Sequence, residues 1–385
     1  MFYLSRSISL LICLTVLSSA SFVAAQNESV KLFEIKVNNQ YGFIDKTGKI
    51  VIEPQFQGVY EFSDGLARIY TSGEFNTGYI DETGKIVIEP RFDIGGNFSE
   101  GFVWVGFDPQ KTFSSVKVGN ITLNSYSSQS SHSFNYNIGF IDKSGKFITE
   151  PIYKLAGNFS EGLAFAKTKE GKFGFIDKSG KFAIAPKFDW ASEFSEGLAL
   201  VFVKGKYGFI DKMGKFVIKP QFTKAESFSE GLAVVKIGGA VRKPSFGMQI
   251  ITTTIADTDY AYLDKTGKIV FKIKAGEAHS FSEGLARYEP FGDYRHGFVD
   301  KTGKIVIQPQ FSGSSDFSDG LASVILEEGG FGWLDKKGSV VLKSQFPFAR
   351  DFENGLSQVS DSLTLYDAGS GYIDKTGKVI WQPTK

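Results

Sequence analysis

Tyr41-Gly42-Phe43-Ile44-Asp45-Lys46-Thr47-Gly48-Lys49-Ile50-Val51-Ile52-Glu53-Pro54 decides the fold, because its pattern returns along the chain until nine copies are in place. The Asp of each copy stands at 45, 81, 142, 177, 211, 264, 300, 335 and 374. A second signature, Phe62-Ser63-Asp64-Gly65-Leu66-Ala67, returns eight times, with its Gly at 65, 101, 162, 197, 231, 284, 320 and 355. Each Asp lies 20 residues before the next such Gly, whereas that Gly lies anywhere from 14 to 41 residues before the following Asp. All variation in length therefore falls in one connection.

Within a unit, apolar β-formers alternate with short Gly-bearing loops, which predicts a meander of three strands. Leu198 to Val203 reads as the first, Tyr207 to Asp211 as the second and Lys215 to Ile218 as the third. In the Asp-Lys-Thr-Gly loop the carboxylate can accept N–H groups of its own turn, and Gly takes the position with φ > 0. Pro220 cannot donate to a ladder, so the sheet stops there and a buried crossover, Phe222 to Phe228, leads to the next unit. The first strand is apolar on both faces and needs a neighbouring unit on each side.

The motif resembles the WG-repeat family, also called KWG repeats, found in bacterial proteins as tandem β-rich units. The resemblance runs from about residue 31 to 384. The family's leading Trp is absent throughout, replaced by Tyr41, Thr77, Ile138, Phe173, Tyr207, Tyr260, His296, Phe331 and Ser370, and Ala261 replaces the Gly that follows in copy six. Aromatic replacements imply a packing role, with Thr77, Ile138 and Ser370 expected to pack less well. The resemblance implies no catalytic activity. The fold class is thus all-β, nine three-stranded meander repeats of about 35 residues. An open superhelical array is favoured over a propeller-like ring, because propeller blades have four strands and no blade here is divided between the termini.

Residues 1–25 read as a signal peptide: Arg6, an apolar run from Ile8 to Leu17, and small residues up to a cleavage point after Ala25. The run is shorter than the ~20 residues a spanning helix needs, so no stable membrane insertion is expected. Cys13, the single Cys, leaves with this segment, and residues 26–385 form the repeat array. The expected location is periplasmic or extracellular. With 43 Lys+Arg against 42 Asp+Glu, the net charge of +1 provides no field for nucleic acid.

The repeated acids, including Asp64, Glu100, Glu161, Glu196, Glu230, Glu283 and Asp319, have like surroundings in each copy, whereas acid–base catalysis needs unlike ones. Asn354 stands at the acidic position of the last turn, so these residues read as turn chemistry rather than metal ligands. His132, His279 and His296 lack ligand spacing, and His296 reads as a packing substitute. No catalytic, cofactor or metal residues are assigned. Two long connections, near 106–137 and 237–259, carry the candidate ligand contacts: Tyr126, His132, Phe134 and Tyr136 in the first, Arg242 and Lys243 in the second. The expected function is a non-catalytic binding or scaffold protein of the cell envelope or exterior, with a protein, peptide or glycan as partner. A carbohydrate-active enzyme on a β-repeat body is the alternative, and it would need an acid pair in a cleft between dissimilar repeats.

Overall fold

The computed structural model describes residues 31–71, 76–108, 112–118, 121–127, 136–237, 259–362 and 370–382. The segment read as a signal peptide lies outside them. Nine small antiparallel sheets, in chain order the blades one to nine, cover 33–56, 58–92, 94–153, 155–188, 190–222, 224–274, 277–311, 322–343 and 348–381. They form a nine-bladed β-propeller. A further two-stranded hairpin, Thr112–Val118 with Ile121–Ser127, stands inside the first long connection.

Seven blades have four strands, not the expected three, with blade five (Trp190–Ser195, Leu198–Val203, Lys206–Ile210, Phe216–Phe222) as the pattern. The additional strand lies in the segment read as a crossover and precedes the apolar one. It turns into its neighbour through two residues with φ > 0, such as Glu196 (φ 55) and Gly197 (φ 89), the geometry of a type I′ hairpin. The first strands and the residues just after them bond from blade to blade: Asn158 N–H donates to Glu193 Oε1 (2.7 Å) and Ser280 N–H to Glu226 Oε2 (2.9 Å). They converge towards the axis of the ring. The last strand of each blade forms the rim, where Val51, Val217, Val270 and Val341 are exposed.

The rim strand explains the Gly after the Trp position. Opposite Gly208 the register shifts, so that Tyr207 faces Phe222 while Phe209 faces Ile218. A Cβ on Gly208 would lie 2.7 Å from both Ile218 O and Pro220 N, and Gly42, Gly78, Gly139, Gly174 and Gly297 are crowded in the same way. Blade six has Ala261 instead of Gly and Ile273 instead of Pro, and there Asp259 to Tyr262 pair with Lys274 to Phe271 without a break. Wherever the Pro bulge is described the opposing residue is Gly, although Gly332 of blade eight stands opposite Lys343 without a Pro bulge.

The favoured open array is overturned by contacts between the first and last blades. Phe33, Ile35 and Ile44 share one core with Leu356 and Tyr372. Phe33 and Tyr372 rings meet edge-on at 5.5 Å, and Tyr372 Oη donates to Glu34 O (2.9 Å). Gly48 sits against Ile380 of blade nine as Gly84 sits against Ile52 and Gly214 against Ile184 of the blade before each. Each blade is apolar on both faces, so blade-to-blade packing closes the ring without a blade shared between the termini.

At the Trp position, Phe173 and Tyr260 are buried and Tyr41, Tyr207, His296 and Phe331 half-buried, as a packing role requires. Thr77 and Ile138, expected to pack less well, are buried too, at 0% and 3% exposure. The Ser370 side chain lies outside the described set.

Candidate binding face

The two ends of the ring differ because different turns lie on them. One end carries the Asp-Lys-x-Gly and Ser-acid-Gly turns, and the repeated charges are committed there. Asp45 Oδ1 accepts Thr47 Oγ1 (2.6 Å), Thr47 N–H (2.8 Å) and Lys49 N–H (3.1 Å), while Gly48 holds φ 88. The Thr47 hydroxyl, ahead of the backbone donors, holds the Asp45 pKa below its usual value.

The acids of the second signature act between blades. Glu161 of blade four accepts Gly197 N–H (3.0 Å) of blade five and pairs with Lys212 Nζ (3.0 Å), the residue after the turn Asp of that blade. Burial opposes its charge, but Lys212 and the Gly197 amide outweigh burial and keep its pKa low. Ser160 Oγ donates to Phe194 O (2.7 Å) across the same interface. Among the described residues this clasp occurs seven times in all, ending with Asp319 on Lys375 and Gly355. Local turn chemistry was the expected role, so the link to the next repeat was missed. A signal was available: Glu82 replaces the Lys in the blade after the one that lacks a Ser-acid-Gly turn, and Asn354 replaces the acid that would face Lys46.

The opposite end carries the connections between second and third strands, so both long ones leave from the same end. Of the candidate contacts, Tyr136 is half-buried against the core around Phe140 and Tyr153. Tyr126 lies on the strand Ile121–Ser127, opposite Phe113, and its side chain is outside the described set. His132, Phe134, Arg242 and Lys243 also fall outside it. Of the six, only the Tyr136 side chain lies among the described residues.

A polar wedge in blades six to eight was not foreseen. Tyr260 Oη donates to Glu277 Oε2 (2.9 Å), which also pairs with Lys224. His279 Nδ1 lies 3.8 Å from Glu226 Oε1. Ser314 N–H donates to His296 Nδ1 (2.8 Å), which leaves the proton on Nε2, 3.7 Å from Glu289 Oε1. His296 thus packs as expected and also bonds. Burial, then the Arg287 charge, lowers both His pKa values. Glu277 and Glu289 face each other across neighbouring strands. Burial, then Glu277, raises Glu289; burial opposes the charge of Glu277, but Lys224 outweighs it and lowers that pKa. These are carboxyls in unlike surroundings, which the regular blades do not provide. Among the described residues no group of three or more His, Cys, Asp or Glu side chains could hold a metal ion, and no helix is long and apolar enough to cross a membrane.

Solved structures with some likeness include BamB from Moraxella catarrhalis, at 10% identity and TM-score 0.41, covering 85% of this chain and 92% of that one. Apo AztD from Citrobacter koseri follows at 13% and 0.38, covering 92% and 93%. Virginiamycin B lyase from Staphylococcus aureus gives 15% and 0.35, covering 76% and 95%. Such values carry no argument about function. No curated protein matches the sequence. The sequence profile described as WG containing repeat matches residues 41–73, 78–108, 138–173, 173–207, 207–239, 260–289, 297–328 and 331–361, eight repeats to which the structure adds a ninth blade. The chain belongs to the WG containing repeat family.

Proposed function

We propose that the protein is a non-catalytic binding or scaffold module, exported to the periplasm or cell exterior, that holds a protein, peptide or glycan at the end of the ring carrying the long connections. One observation carries this reading: the repeated charges are consumed in turns and clasps at one end, so variation is concentrated at the other. A rigid closed body presenting variable loops on one face suits recognition. The test shortens both long connections to the length of Lys204-Gly205-Lys206. The trimmed mature protein should keep its unfolding midpoint but lose binding to glycans or purified envelope proteins that the intact protein retains. Unchanged affinity for the same ligand in a folded trimmed protein would contradict the reading.

The carbohydrate-active alternative is favoured by Glu277 and Glu289, adjacent carboxyls whose pKa values move apart. It requires glycan turnover that Glu277→Gln and Glu289→Gln each abolish without loss of fold. Binding without turnover supports the scaffold.

A further inference from the structure

Rim strands are open sheet edges, and most blades blunt theirs. Pro54, Pro90, Pro151, Pro186, Pro220 and Pro309 interrupt the rim strands of blades one to five and seven, each beside a register shift that twists the edge away from pairing. The rim strands of blades eight and nine are short, Val340–Lys343 and Val379–Trp381. Blade six has neither device. Its rim strand, Ile269–Lys274, contains no Pro and pairs regularly over four successive residues. It is the last strand of its sheet, and no described residue bridges to its outer side.

The side chains of this edge select the partner. Ile269 and Val270 are 41% and 47% exposed. Lys272 and Lys274 are exposed on one face, Lys268 precedes them beside Asp264, and no described carboxylate forms an ion pair with Lys272 or Lys274. Where blade six has Lys272, blades one to three have Glu53, Glu89 and Glu150. A second copy aligned on this edge would bring lysines towards lysines. We propose that the outer edge of Ile269–Lys274 accepts, by β-strand addition, an extended polypeptide segment alternating acidic and β-branched side chains. The acids face Lys272 and Lys274, and the apolar side chains continue the face of Ile269, Phe271 and Ile273.

The probe is a soluble peptide of four Glu-Val pairs, added to the mature full-length protein and read by titration and by amide hydrogen exchange. Exchange should slow in 269–274 and not in the Pro-bearing rim strand Ile305–Phe311. A Lys-Val peptide of equal length should not bind. The double variant Lys272→Glu/Lys274→Glu, with both changes on exposed side chains, should weaken the acidic peptide about tenfold and admit the Lys-Val one. Alternate N-methylation of the peptide should abolish binding, because it removes donors the edge needs. Unslowed exchange in 269–274, equal binding of the N-methylated peptide, or unchanged affinity in the folded double variant would overturn the proposal. A dimer in solution that protects 269–274 without peptide would overturn it in favour of a second copy.

Discussion

The interface between blades four and five and the one between blades nine and one solve the same packing problem with different residues. In the first, Phe194 of the incoming inner strand meets Phe175 at 4.9 Å, Ala199 behind it is fully buried, and the Glu161–Lys212 clasp ties one end. In the second, no described first strand precedes Phe33–Val37. Phe33 stands where blades two, four, five, six, seven and eight have Ala67, Ala164, Ala199, Ala233, Ala286 and Ala322, and it meets Tyr372 where Phe194 meets Phe175 in the regular interface. The hydroxyl–carbonyl contact is moved in the same way: Tyr262 Oη donates to His279 O of an inner strand (2.7 Å), but Tyr372 Oη donates to Glu34 O. A large side chain at the Ala position thus takes the place that an inner-strand Phe fills at the regular interface, and the described residues close the ring without a clasp between Asn354 and Lys46.

The comparison breaks most severely at the aromatic contacts. Phe194→Ala should cost about 3–5 kcal/mol through lost burial and a cavity. Phe33→Ala should cost a similar amount while also separating the termini, which small-angle scattering would detect as a larger radius of gyration. Denaturant unfolding of both variants checks the magnitudes.

Backbone positions come next. Gly174→Ala places a Cβ 2.6 Å from Ile184 O and should destabilise by about 2 kcal/mol or more, whereas Ala261→Gly in the unbulged blade six should cost only about 0.5–1 kcal/mol. Gly214→Val combines φ 75 with a 2.7 Å approach to Ile184 Cγ2 and should cost about 1 kcal/mol or more. Thermal melts of the three variants measure the order.

The smallest effects separate the interfaces by charge. Glu161 has a lowered folded pKa, so its contribution is present above the ordinary Glu value and lost as pH falls through the folded one. Glu161→Gln should therefore cost up to about 1 kcal/mol at pH 7 and less in acid. Glu34 is the reverse: burial, only partly offset by Gln358 and Arg350, raises its pKa. Its charge is a penalty above the ordinary Glu value that disappears as pH falls. Glu34→Gln should raise the melting temperature at pH 7, with the gain fading near pH 4. Asn354→Asp should add a clasp to Lys46 and stabilise by up to about 1 kcal/mol.

The repeat, the strand meander and the turn geometry were legible because period, Gly offsets and turn Asp are local properties of the chain. Ring closure was not, because Phe33 and Tyr372 lie at opposite ends of the sequence and the repeat pattern does not say that the first and last copies meet. The inner strand was hidden for a different reason: strands such as Leu155–Ala156 and Lys224–Ala225 are too short to show a period of two. The long connections announced themselves by length, but the wedge around Glu277 and His279 joins side chains from three blades that no spacing rule links.

Closure is tested most directly by spin labels at Lys46 and Asn354 of the chain from residue 26 onward, which contains no Cys, compared with labels at Glu161 and Lys212, a pair 3.0 Å apart across a regular interface. A closed ring gives the two label pairs coincident short distance distributions by pulsed electron resonance. A distribution for 46 and 354 centred far beyond that for 161 and 212 would mean that the blades end in an open array, contradicting the account.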